Sequence, residues 1–367
     1  MYTLTKELKD FHIHYPLEQI APLEDILFLD IETTGFTAKN SSLYLIGTAF
    51  YEQGSWYIRQ WFAENASQEI EILKAFSEMA SFYKHLFHFN GNHFDLPYLS
   101  QKYAQYEITC NFDTFQGIDI YRRVSACKSF LKLPNCKQKT VENYLDIDRT
   151  DPFNGGELID IYRNYTSSPT DSSREILLCH NFEDIKGMLQ IIPILSYCDI
   201  FDGRARARKV QANQYRDFSG NTRRELLMTL VLPVSLPKPI SAYANDCYFK
   251  AEGDQGILRV PIFEEELKYF YANYKDYYYL PDEDIALHKS IASFVDHEHR
   301  IPATAATCYT RKYSTYLPQW DVLVEPFFKR DYRSKSLFFE LTDELKKDRA
   351  AFTRYAGHVL EMLSSSY

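Results

Sequence analysis

Apolar residues follow two rhythms along this chain of 367 residues. Ile26-Leu27-Phe28-Leu29 opens a continuous apolar run, closed by Thr34-Gly35, that predicts a buried strand. Residues 44–50 and 56–62 read the same way, and Gln53-Gly54-Ser55 between them predicts a hairpin. Over 67–86 the rhythm changes. Ile70, Leu73, Phe76, Met79, Tyr83 and Leu86 recur at three- and four-residue steps, the buried stripe of a helix. A short strand follows at 86–89, ended by Asn90-Gly91, and then a helix from Leu96 to about Tyr106. Three strands, a helix, a strand and a helix is α/β order. Residues 119–164 read as helical pieces broken by Pro134, Pro152 and Gly155-Gly156, and 167–173 as a loop. Residues 174–195 predict a second long helix with Ile185, Met188, Leu189 and Ile192 on one face.

Past residue 200 the pattern is less regular. Strands are predicted at 226–236 and 247–261, with Asp254-Gln255-Gly256 as a turn. Helices are predicted at 263–275, 283–295 and 342–363, the last starting on Thr342, Asp343 and Glu344. The chain divides into a lead-in at 1–24, an α/β domain at 25–200, a basic linker at 201–224 and a smaller α+β C-terminal domain at 225–367.

Composition narrows the partners. With 45% hydrophobic and 25% charged residues the chain is built to fold rather than to stay disordered. The 41 basic and 50 acidic residues leave a net charge of −9, so neither nucleic acid nor an anionic membrane is held by overall charge. A polyanion needs a local basic groove, or metal ions. Residues 203–224 carry Arg204, Arg206, Arg208, Lys209, Arg216, Arg223 and Arg224 against Asp217 alone, and read either as a backbone clamp or as a solvated linker. Twenty-nine Tyr and 26 Phe supply stacking surfaces as well as core. Seven Cys without a C-x-x-C pair exclude a zinc ribbon and a thioredoxin-like site and suggest a reducing, cytoplasmic compartment. No apolar run suits a membrane span and the first residues do not read as a signal peptide, so a soluble protein is expected.

Three segments carry candidate chemistry. Asp30 and Glu32 stand two apart at the end of the first strand, so both side chains share a face. Buried together they would repel and raise each other's pKa, and a divalent cation with its preference for hard oxygen ligands would remove that penalty. Alternatively, both acids simply reach water at a strand end. Asp95 follows a strand and a turn in Phe89-Asn90-Gly91-Asn92-His93-Phe94-Asp95-Leu96-Pro97-Tyr98-Leu99, where it also suits a helix start. Asp184 lies in Cys179-His180-Asn181-Phe182-Glu183-Asp184-Ile185-Lys186-Gly187-Met188, with His180 one helical turn before it.

Together, Phe28-Leu29-Asp30-Ile31-Glu32-Thr33-Thr34-Gly35 and these two later segments resemble the DEDD superfamily of 3′–5′ exonucleases. The resemblance is closest to the bacterial ribonuclease-H-like domain family of predicted exonucleases and to the proofreading domain of family B DNA polymerases. It covers roughly residues 20–200. It implies a ribonuclease-H-like mixed sheet flanked by helices. It further implies hydrolysis of DNA or RNA from a 3′ end to nucleoside 5′-monophosphates, with Asp30, Glu32, Asp95 and Asp184 holding two Mg²⁺ or Mn²⁺ ions. Thr33 and Thr34 would touch the terminal nucleotide and Asn90 would support the Asp95 turn. The superfamily places a Tyr four residues, or a His five residues, before the last Asp. Here His180 stands four before Asp184, a histidine at the tyrosine spacing. An imidazole accepts a proton near neutral pH, which makes His180 the candidate to position or deprotonate the water. Asp119 reads as structural.

Two rival readings stay open: a non-catalytic nucleic-acid or protein adaptor on the same fold, and a structure-selective endonuclease. Asp296-His297-Glu298-His299 fits no zinc spacing. Tyr277-Tyr278-Tyr279 reads as a partly buried strand before it reads as a base-stacking surface.

Overall fold

The computed structural model describes residues 1–109, 112–153, 155–217 and 219–366. They form two units, Met1–Cys198 with Leu236–Lys238, and Asp199–Ser235 with Pro239–Tyr367. Among the described residues no helix is long and apolar enough to cross a membrane.

The N-terminal unit is built on β1 (Tyr2–Leu8), β2 (Ile26–Thr33), β3 (Leu43–Glu52), β4 (Ser55–Phe62), β5 (His85–His88) and β6 (Gln116–Asp119). They form one mixed sheet in the order β1-β4-β3-β2-β5-β6. Strands β2, β5 and β6 run parallel, and the other pairs are antiparallel. The continuous apolar run of β2 fits its place at the centre, where Ile26, Leu27 and Phe28 are fully buried. Helices α1 (Glu69–Ala80) and α2 (Asp95–Gln105) supply Leu73, Phe76, Leu99 and Tyr103 to a core against Leu27, Leu29 and Ile31. Two short helices follow, α3 (Ile120–Cys127) and α4 (Gln138–Tyr144). Helices α5 (Gly155–Ser167) and α6 (Asp171–Gln190) pack Leu158, Tyr162 and Leu178 with Tyr44, Leu45 and Phe62 in a second core. Odd positions of β2 thus face α1 and α2. The even positions, Asp30 and Glu32 among them, are left to the α6 side.

A buried ion pair ties these layers together. Lys102 Nζ lies 2.8 Å from Glu69 Oε1, both side chains 3% exposed. The same carboxylate accepts from the Leu43 amide at 2.5 Å and from the Tyr106 hydroxyl at 2.5 Å. It thereby fixes the start of β3 against α1 and α2.

The C-terminal unit is mostly antiparallel sheet. Strands β7 (Arg206–Arg216), β8 (Thr222–Val231), β9 (Ile240–Ala244), β10 (Cys247–Glu252) and β11 (Gln255–Pro261) form a five-stranded sheet in the order β7-β8-β11-β10-β9. Its inner face packs on the C-terminal helix, Arg349–Ser365. Of the remaining strands, β12 (Phe263–Phe270), β16 (Tyr309–Gln319), β17 (Phe327–Phe328) and β18 (Leu337–Glu340) form a second sheet. The third consists of β13 (Tyr277–Leu280), β14 (Ile285–His288) and β15 (Ile301–Pro302).

Several expectations change. The lead-in at 1–24 contributes β1, paired along its whole length with β4. Residues 201–224 are not a linker. Most of them lie in β7 and β8, an antiparallel pair whose two-residue alternation is masked by a bulge at Arg208 between Ala207 and Lys209. Residues 263–270 form a strand rather than a helix. The glutamates favour helix locally, but β12 pairs with β16, and Glu265 and Glu266 meet Arg330 and Arg311 there, so tertiary pairing decides. Residues 283–295 give a short strand and one helical turn. The last helix starts later than expected, with Asp348 capping the Ala351 amide. Helix α6 starts earlier, inside the expected loop, with Thr170 accepting from the Ser173 amide.

Candidate active site

Four carboxylates and one imidazole converge beside β2. Asp30 and Glu32 project from the strand towards α6. Asp95 begins α2, and its Oδ1 accepts from the Ile31 amide at 3.3 Å, so it is held on the strand between the other two acids. On α6, His180 and Asp184 share a face, with His180 Nε2 at 3.2 Å from Asp184 Oδ2 and 3.6 Å from Glu32 Oε1. Candidate ligand atoms of Glu32, His180 and Asp184 all lie within 4.8 Å of one another.

The electrostatics follow from this crowding. Burial first, then the charges of Asp184 and Asp95, push the carboxyls of Asp30 and Glu32 well above the usual range. Burial likewise pushes Asp95 up to about 7, against the pull of its backbone hydrogen bonds. Such a cluster is unfavourable as bare anions. Its carboxylate oxygens fit hard divalent cations, and beside them stands one imidazole whose far nitrogen is anchored elsewhere.

That anchor is Asp151, whose Oδ2 lies 2.6 Å from His180 Nδ1. Asp151 is buried, in the stretch between α4 and α5, and nothing in its local sequence marks it. Arg149, two residues earlier, bonds Asp184 and lies 2.7 Å from Glu142 Oε2. Gly187 makes room for that carboxylate, since a Cβ there would stand 2.2 Å from Glu142 Oε1. Asn181 is fully buried and donates to Asp30 Oδ2 at 2.9 Å. Its own oxygen accepts from Gln60 Nε2 at 2.8 Å. Gly47 on β3 lets Asn181 come this close, because a Cβ at Gly47 would stand 2.1 Å from Asn181 Oδ1. One signal for Asn181 was available: it interrupts the apolar stripe of Leu178, Ile185 and Met188 at helical spacing.

The remaining candidates serve the loops. Thr33 Oγ1 donates to the Gly35 carbonyl at 2.8 Å, and Thr34 Oγ1 accepts from the Ser42 amide at 2.8 Å. Asn90 has φ +62°, a left-handed conformation that Asn tolerates, and its amide donates to Asp119 Oδ1 at 2.9 Å. Asp119 also caps α3 through the Tyr121 amide at 3.0 Å. Asp296–His299 is a single exposed turn with no metal-type cluster among the described residues, and 277–280 is a half-buried strand.

Residues 27–196 match the model of the RNase H superfamily. The N-terminal unit is ribonuclease-H-like. Among solved structures, the family B DNA polymerase of Pyrobaculum calidifontis is similar at 11% identity and a TM-score of 0.39, over 72% of this chain and 39% of that one. The zinc-bound E. coli ExoI in complex with single-stranded DNA is similar at 12% identity and a TM-score of 0.27, over 56% of this chain and 54% of that one. The chain thus spans about two fifths of the polymerase's length and about half of the exonuclease's. No curated protein matches the chain by sequence. In the ribonuclease-H-like unit, the acidic pocket lies where the central strand β2 meets α2 and α6.

Proposed function

We propose that this chain is a metal-dependent nuclease, acting as a 3′–5′ exonuclease that releases nucleoside 5′-monophosphates from DNA or RNA. The observation that carries this reading is the gathering of Asp30, Glu32, Asp95 and Asp184 in one partly buried pocket at a clear electrostatic penalty, with the Nε2 of His180 aimed at it. An adaptor would gain nothing from that arrangement.

Asp30, Glu32, Asp95 and Asp184 would hold two Mg²⁺ or Mn²⁺ ions, which when bound make water nucleophilic at neutral pH and stabilise charge on the leaving oxygen. Asn181 and Gln60 fix the Asp30 carboxylate, and Arg149 fixes Asp184. Asp151 keeps the Nδ1 proton on His180, so that Nε2 is free to accept a proton from the attacking water. Thr33 and Thr34 shape the turn that would receive the terminal nucleotide, and Asn90 holds the turn that presents Asp95.

The test uses 5′-labelled single-stranded DNA and RNA with Mn²⁺, Mg²⁺ or EDTA, beside an Asp30→Ala, Glu32→Ala variant. The expected result is a metal-dependent ladder shortening from the 3′ end and absent in the variant. Discrete internal fragments would make the protein an endonuclease. Binding without cleavage under either metal would favour the adaptor.

A further inference from the structure

Within the C-terminal unit, the helix Arg349–Ser365 packs on one face of the five-stranded sheet, and the described side chains of the other face are mostly exposed or half-exposed. The inner face carries Met228, Leu230, Phe249, Leu258 and Val260, all buried. Strand register sets the composition of the other face. One row runs across all five strands as Gln211, Leu227, Arg259, Tyr248 and Tyr243. The next row holds Lys209, Thr229, Ile257, Lys250 and Ser241. Beyond them, Arg206 pairs with Val231, and Tyr215 with Arg223. Each row spans roughly 19 Å at ordinary strand spacing.

This face is open and cationic. Tyr243 is 60% exposed and Tyr215 45%. Arg206, Lys209 and Lys250 are exposed and make no ion pair among the described residues. The Arg259 guanidinium sits over the Tyr248 ring, 5.7 Å from its centroid. Four acids stand at this face or its ends: Glu225 is buried and accepts from Asn213 at 2.8 Å, Glu252 lies at one end of the sheet, Asp246 accepts from the Tyr243 hydroxyl at 2.9 Å, and Asp217 pairs with Arg223 at 3.0 Å. In a chain of net charge −9, Arg206, Lys209, Lys250 and Arg259 beside three tyrosines concentrate positive charge, unpaired among the described residues, on one sheet face.

We propose that this face is a platform for single-stranded nucleic acid, with Tyr243, Tyr248 and Tyr215 stacking bases and Arg206, Lys209, Lys250 and Arg259 holding phosphates. Charge complementarity selects a polyanion. The alternation of rings with cations selects nucleic acid over an acidic peptide, because a peptide carboxylate needs the cations alone, whereas every base has a face to stack. The proposal rests on the nuclease reading only for the expectation that the chain meets a nucleic acid.

The test measures fluorescence anisotropy of labelled oligothymidylate and oligouridylate with the full chain in EDTA, so that cleavage does not enter. Tyr243→Ala and Tyr248→Ala each weaken binding about tenfold, and Tyr243→Phe, which keeps the ring, restores it. A Lys209→Gln, Arg259→Gln variant lowers the slope of log affinity against log salt by about one to two. Circular dichroism and melting check that the variants fold. Binding indifferent to these substitutions overturns the platform. So does displacement of the oligonucleotide by polyglutamate without any effect of the tyrosines, or a change confined to self-association in sedimentation. Cleavage with Mn²⁺ is scored separately. Tyrosine-dependent binding without cleavage leaves the platform standing and fails the nuclease reading. Cleavage with tyrosine-independent binding does the reverse.

Discussion

His180 Nδ1 and Asp151 Oδ2 lie 2.6 Å apart, and both side chains are buried. The contact reaches across 29 residues and fixes which imidazole nitrogen faces the acidic pocket. A histidine one helical turn before the last aspartate therefore acquires its orientation from outside the helix.

Asp151→Asn tests that orientation. An amide accepts the Nδ1 proton less well and permits the other tautomer. If His180 accepts the water's proton, turnover falls about 10- to 100-fold with KM nearly unchanged. Steady-state kinetics over a pH series with the wild type alongside measure it, and an unaltered turnover would remove His180 from the proton transfer.

The pocket's stability depends on pH in a defined direction. The Asp95 carboxyl stands at about 7 in the folded chain against an ordinary 3.8, so its protonated form favours folding. That contribution is complete below 3.8 and is lost as pH rises through about 7. Asp30 and Glu32, also raised, act in the same sense. In EDTA the melting temperature should fall as pH rises from about 4 to about 7. Mn²⁺ should recover the loss at the higher pH, and Asp95→Asn should flatten the slope. Differential scanning fluorimetry reads all three.

Gly47→Ala acts on Asn181 from the neighbouring strand. The added Cβ would meet Asn181 Oδ1 at 2.1 Å, in a site with no room to yield. We expect a destabilisation of about 1–3 kcal/mol in urea unfolding. Activity should drop as well, since Asp30 loses its donor. Wild-type stability in this variant would mean that Asn181 is free to move.

Lys102→Ala separates structure from chemistry. It leaves Glu69 charged and buried, so a loss of about 3–5 kcal/mol in urea unfolding is expected. Glu69→Gln keeps an acceptor oxygen for the Leu43 amide and turns its NH2 towards the Tyr106 oxygen, while Lys102 keeps the Ser41 carbonyl, so it should cost less.

Periodicity made most of the N-terminal unit legible. The apolar run of β2, the helical stripe of α1 and the turn before Asp95 are local facts, and local sequence states them. The three acidic segments were legible for the same reason. Their supports were not. Asp151, Arg149, Glu142 and Gln60 reach the site through contacts between distant segments, and each looks ordinary where it stands in the chain. Helix α6 shows the limit most clearly: its buried side includes His180, Asn181 and Glu183, so burial there is not the same as hydrophobicity. In the C-terminal unit the glutamates of β12 favoured a helix locally, and pairing with β16 overruled them.

Strand β1 lies outside β4 at the margin of the N-terminal sheet, with register from Tyr2 opposite Phe62 to Leu8 opposite Trp56. Thr3, Thr5, Lys6 and Glu7 are exposed and polar, while Tyr2 and Leu4 lean on the second core and Leu8 is buried. The strand also occupies the amide and carbonyl groups of β4, whose Trp56, Ile58, Trp61 and Phe62 are among the most apolar of the sheet. A chain shortened by this strand would keep its acidic pocket and present a bare, sticky margin to its neighbours. Its characteristic fault would be clumping in solution at rising concentration, beyond any fall in melting point.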